Sequence, residues 1–189
     1  MHKISTAVLY CLGGILAFAS AGAEPFDQTL EFAGIRFQVQ CANEGSINQL
    51  IITPQGLEYD NRPMRREVNG SVTGAEAGDL NGDGSPEIYV YVSSAGSGSY
   101  GSLIAYSANG KKSLTEINLP DLYADPKNSE GYMGHDVFAV AENVLQRRFP
   151  IYKPGDTNAE PSGGKRQIDY KLYPGEAVWQ LKIDRVTEY

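Results

Sequence analysis

The stretch IRFQVQC, residues 35–41, sorts its side chains by parity. Ile35, Phe37, Val39 and Cys41 fall on one side of an extended chain, and Arg36, Gln38 and Gln40 on the other. Period two is the signature of a strand with one face on a core, so this segment is predicted as β. Cys41 continues the apolar face, and the sequence's other cysteine, Cys11, falls in an apolar N-terminal run. We therefore expect Cys41 to be an inert, buried thiol rather than half of an intermolecular disulfide.

The same alternation recurs outward from this strand, with turn residues between the segments. TLEF and IRFQVQC flank Ala33-Gly34, and NQLII ends at TPQG. SLIAYSA turns through Asn109-Gly110 into KKSLTEI, and VFAVA turns at Glu142-Asn143 into VLQRRF. RQIDYKLY turns at Pro174-Gly175 into EAVWQLKI. Gly, Asn and Pro at these points supply the positive or fixed φ that short hairpins need. No segment carries a helical stripe of any length. The expected fold is all-β: an antiparallel β-sandwich or flattened barrel of about eight to ten strands.

The 189 residues suit one such domain. A basic start (MHK), an apolar run (AVLYCLGGILAFA) and the small residues AGA at 21–23 read as a cleavable signal peptide over residues 1–23, leaving a single domain over 24–189. Nothing later approaches the ~18 consecutive apolar residues of a membrane span. The formal net charge is −7, and loss of Lys3 with the signal, which carries no acid, takes it to −8. That field disfavours nucleic acid and anionic membrane surfaces as partners and favours cationic proteins.

Several stretches bear on chemistry. In DLNGDGSPE, Asp79, Asn81 and Asp83 alternate ahead of Gly84, as oxygen ligands do at the start of a calcium loop. Val90 stands where the twelfth-position glutamate of such a loop would be, and no helix flanks it. The stretch is similar to the calcium loops of FG-GAP propeller repeats, but it occurs once. The expected reading is a turn whose Asx side chains accept from backbone amides, with no metal. A hydrolase would need more than His135 beside Asp136 and the serines near Ser99. The sequence there, SGSYG, departs from a nucleophile elbow at Ser97, and no helix follows. Zinc lacks a ligand cluster. Two long polar segments, Asn118 to Asp136 and Tyr152 to Lys165, have lengths that suggest function or mobility. No cofactor is expected.

YVSSAGSGSYGS, residues 91–102, joins two of the strands. A narrow tip of glycine and serine can enter a cleft too tight for larger side chains, and its amides and hydroxyls can donate to carboxylates there. The same glycines could equally serve only to permit a tight bend.

From Asp79 to Leu119 the chain resembles the bacterial periplasmic inhibitors of invertebrate-type (i-type) lysozyme. The likeness continues through GYMGHDVFAV, RRFPIYKPGDTNAEPSGGKRQIDYKL and GEAVWQLKIDR, and the family's S-G-x-Y signature falls on Ser97-Gly98-Ser99-Tyr100. This resemblance implies a non-enzymatic periplasmic protein that protects the cell wall by occluding an i-type lysozyme. The Ser97–Tyr100 loop would occupy the enzyme's cleft, with Lys111 and Lys112 adding attraction to acidic residues. A calcium-stabilised carbohydrate-binding or adhesion module is the alternative, and pairing of edge strands into a homodimer stays open.

Overall fold

The computed structural model describes residues 23–189, so all but the last residue of the expected signal peptide lies outside the described residues. Twelve strands form: β1 (Phe26–Phe32), β2 (Ile35–Cys41), β3 (Ile47–Gln55), β4 (Met64–Asn69), β5 (Ser71–Gly78), β6 (Glu87–Ser93), β7 (Gly101–Asn109), β8 (Ser113–Asn118), β9 (Val137–Ala141), β10 (Val144–Pro150), β11 (Lys165–Tyr173) and β12 (Trp179–Glu188). A 3-10 turn (Leu122–Ala124) and one short helix, α1 (Pro126–Ser129), interrupt the first long polar segment. No helix among the described residues is long and apolar enough to cross a membrane.

The strands divide into a four-stranded sheet, β1-β2-β3-β4, and an eight-stranded sheet in the order β5-β6-β7-β8-β12-β11-β10-β9. The β1–β2 hairpin turns at Ala33 and Gly34, both at positive φ, which matches the right-handed strand twist. All pairings are antiparallel except one. β12 runs parallel to β8, with Trp179 opposite Ile117 and Gln180 opposite Asn118, so the larger sheet is mixed. It curls until its outer strands β5 and β9 approach each other. There the Glu76 carboxylate accepts the Val140 N–H at 2.7 Å and the Tyr91 hydroxyl, bridging a seam that no backbone ladder closes.

Strand β6 organises the interior, because six of its seven residues are buried. Ile88, Val90 and Val92 point toward the small sheet and join Phe37, Val39, Leu50 and Ile52 in one core. Tyr89 and Tyr91 point into the barrel and join Phe138, Leu145, Phe149, Tyr170 and Leu181 in a second. Ile35, Phe37, Val39 and Cys41 are all buried as the alternation requires, and Cys41 is a free thiol.

Candidate functional site

The β6–β7 loop is closed at its base by a reciprocal pair. The Ser94 N–H donates to the Tyr100 carbonyl at 2.9 Å, and the Tyr100 N–H donates to Ser94 Oγ at 2.9 Å. Within it, the Ser99 N–H donates to the Gly96 carbonyl and Ser99 sits at φ 43°, giving a tight turn. Ala95, Gly96 and Ser97 are exposed at the tip. The Tyr100 ring lies back over Gly98, where any Cβ would come within 2.5 Å of a ring carbon. A side chain at Gly98 would therefore displace the Tyr100 ring from this position.

Three contacts reach the loop from segments distant in sequence. The Gly98 carbonyl accepts the His135 N–H at 2.8 Å. The Ser97 carbonyl accepts Nδ2 of Asn158 at 2.6 Å. At the start of β7, the Gly101 N–H donates to Asp136 Oδ2 at 2.7 Å. Gly134, at φ 92°, lies so close beneath that a Cβ would strike the Gly98 carbonyl oxygen.

Asp136 belongs to a buried ionic cluster under the loop. Its Oδ1 accepts Nε of Arg147 at 2.7 Å, its Oδ2 accepts the Tyr132 hydroxyl at 2.6 Å, and Arg147 also donates to that hydroxyl at 2.8 Å. The Arg147 and Asp136 side chains are 6% and 0% exposed, so this is an interior pair. Burial opposes the guanidinium charge, but the carboxylate outweighs it and the Arg147 pKa rises. Burial and the bond to Asp136 push the Tyr132 phenol upward as well. The guanidinium lies 5.0 Å from the Tyr132 ring centroid. Tyr132 meets Tyr100 edge-on at 5.6 Å and Tyr123 at 5.6 Å, and these tyrosines with Leu103 and Leu122 line a cleft of about 300 Å³ beside the loop. Tyr100, Tyr123 and Met133 are exposed on this face.

Ser97, Gly98, Ser99 and Tyr100 therefore form one small surface. Lys111 and Lys112 do not join it. They occupy the β7–β8 turn, at the far end of a nine-residue strand from the loop, a separation of about 30 Å. There the Lys111 and Lys112 carbonyls accept the N–H groups of Glu58 and Tyr59, and Lys112 Nζ lies 5.9 Å from the Tyr59 ring.

Asp79, Asn81 and Asp83 form the turn that their spacing suggested. The Asp79 carboxylate accepts the N–H groups of Asp83 (3.1 Å) and Gly84 (2.8 Å). Asn81 Oδ1 accepts the Asp83 N–H at 3.1 Å, and Asp83 accepts the Ser85 N–H at 2.7 Å. Among the described residues no group of three or more His, Cys, Asp or Glu is placed to hold a metal ion. The hydrolase constellation does not assemble either. Asp136 faces Arg147, Tyr132 and Gly101, while His135 Nε2 meets Asn158 Oδ1 at 3.2 Å. Reading the sequence alone missed Asn158, Tyr123, Tyr132 and Arg147 as neighbours of the loop. The one signal for them was the unusual length of the segments holding Asn158, Tyr123 and Tyr132.

No curated protein and no solved structure gives a significant match to the chain. A family model does match, over residues 59–128, and it describes the periplasmic lysozyme inhibitor of I-type lysozyme, PliI. The matched stretch holds β4 to β8, the Ser97–Tyr100 loop and Tyr123, and over it the chain is similar to that periplasmic inhibitor family.

Proposed function

We propose that this protein is a periplasmic inhibitor of i-type lysozyme and that the Ser97–Tyr100 loop enters the lysozyme cleft. The observation that carries this reading is the exposed Ser-Gly tip, tied down from outside by Asn158 and His135 and lying inside the family match. A lysozyme cleaves its glycan with two carboxyl groups, one protonated and one ionised, on either side of the scissile bond. Ser97 offers a hydroxyl and neighbouring backbone N–H groups where the sugar would sit. Tyr100 supplies contact area and a polar tip with two side-chain torsions to order, and its packing on Gly98 and Tyr132 already restricts them. The chain catalyses nothing in this reading; it fills a site. Lys111 and Lys112 are too far away to share the contact and act at most by long-range attraction.

The test is residual cell-wall lysis by an i-type lysozyme in the presence of Ser97→Ala and Tyr100→Ala. Each is expected to weaken inhibition by about thirty-fold, the equivalent of ~2 kcal/mol at a hot spot, with the melting temperature unchanged. Lys112→Ala should change inhibition little, and only at low salt. Loop variants that inhibit like the parent would overturn the reading.

A further inference from the structure

We propose that Asn158 is a positioning residue for the Ser97–Tyr100 loop, and that the long Tyr152–Lys165 segment serves to carry it there. The link to inhibition rests on the reading of the loop given above. The geometry itself does not.

Asn158 lies 61 positions beyond Ser97 in the chain, half-buried between that loop and His135. Its amide is used at both ends. Nδ2 donates to the Ser97 carbonyl at 2.6 Å, and Oδ1 meets His135 Nε2 at 3.2 Å. Only one orientation works, because turning the amide over would set its oxygen against the Ser97 carbonyl. It follows that His135 presents a hydrogen on Nε2. The His135 N–H is meanwhile committed to the Gly98 carbonyl, so Asn158 and the His135 backbone brace consecutive peptide units of the loop while the His135 ring holds Asn158.

Tyr152 completes the arrangement. Its hydroxyl donates to the Asn158 carbonyl at 3.0 Å, and its ring lies alongside the His135 ring with centroids 6.4 Å apart. Tyr152 is buried, so the unit is anchored to the body of the protein. The 152–165 segment is further stiffened by Asp156, whose carboxylate accepts the N–H groups of Lys153 (2.7 Å) and Ser162 (2.8 Å). Without Asn158, the Ser97 and Gly98 peptides keep one outside tie at the tip, from His135. A Gly-Ser tip left that free must be ordered at the moment of binding, which lowers affinity.

The experiment uses Asn158→Ala and Asn158→Asp. The aspartate keeps an acceptor toward His135 but has no hydrogen for the Ser97 carbonyl. Amide hydrogen exchange at residues 97–100 is measured in the free protein, together with the melting temperature and inhibition of an i-type lysozyme. Both variants are expected to exchange faster at the loop than the parent, with exchange in the barrel strands unchanged. Inhibition is expected to fall roughly tenfold, mainly through faster dissociation. Unchanged loop exchange overturns the proposal. So does a rise shared equally by the barrel strands with a lowered melting temperature, which would make Asn158 a general stability residue. Ser97→Ala is run alongside. If it leaves inhibition intact, the lysozyme reading fails, while the positioning role is still judged by loop exchange alone.

Discussion

Ile88, Val90 and Val92 on one face of β6 meet neighbours that are almost all apolar, from the four-stranded sheet. Glu87, Tyr89 and Tyr91 on its other face enter a barrel interior that also holds Tyr132, Tyr170 and Arg147. The first core is held mainly by packing, its one hydroxyl, that of Tyr106, accepting Nε of Arg66 at 3.1 Å: remove a methylene there and only packing is lost. The second is wired. Apart from the Tyr89 hydroxyl, its polar groups bond to one another, to the seam at Glu76 and, through Asp136, to the first residue of β7. A change inside the barrel is therefore expected to reach the loop through Asp136, and a change between the sheets is not.

The largest expected break of this contrast is Asp136→Ala. It leaves the buried Arg147 guanidinium without its carboxylate, which costs on the order of 3–5 kcal/mol, and it releases the Gly101 N–H at the loop base. Urea denaturation should show the loss, and inhibition per folded molecule should fall as well. A variant with normal stability would show that the pair contributes little.

A smaller effect is expected at Glu87. This side chain is fully buried, accepts the Leu80 N–H at 2.7 Å and lies beside the Tyr89 hydroxyl, the one buried side-chain polar atom without a hydrogen-bond partner among the described residues. Burial, reinforced by Asp79 and Asp83, raises its pKa to about 7. A carboxyl whose folded pKa exceeds its unfolded value favours the fold while protonated. Its contribution is complete below about pH 4.5 and is lost as pH rises through about 7, a change of about 3 kcal/mol. Glu87→Gln should remove that slope from the stability profile between pH 4.5 and 8, and parallel profiles for parent and variant would contradict it.

The smallest effect belongs to the other core. Ile52→Val deletes one methylene between the sheets and should cost ~1 kcal/mol, with loop hydrogen exchange and inhibition both unchanged. A drop in inhibition there would erase the distinction between the cores.

The dry core was also the legible one. The parity of Ile35–Cys41 could be read directly, and all four apolar residues are buried. The turn at Ala33-Gly34 has its glycine at positive φ as expected, with Ala33 sharing it, whereas at Glu142-Asn143 the positive φ falls on Glu142 and not on the asparagine, and after β7 the positive φ values fall on Gly110 and Lys111, one position beyond the expected Asn109-Gly110. Strands β4 and β5 gave no usable signal. MRREVN has a weak apolar side, and SVTGAEAG is dominated by small residues and carries a register shift between Val72 and Gly74. The parallel pairing of β12 with β8 could not be read from periodicity, which says which face a residue occupies and nothing about which strand it meets. At the site, the Ser97–Tyr100 tip was visible because its composition is local. Asn158, Arg147 and Tyr132 were not, because they come to the loop only through contacts between segments far apart in the chain.

The place of β12 has a consequence for how the molecule comes into being. It is inserted between β8 and β11, both of which precede it in the chain, so neither has a neighbour on that side until Trp179–Glu188 is available. The four-stranded sheet and the β5–β8 meander need only earlier residues and can assemble as the chain emerges. Closing the order from β8 to β11 needs the last strand and contacts of long sequence separation, which form slowly. The topology thus predicts that the four-stranded sheet and the β5–β8 meander form before the larger sheet is complete.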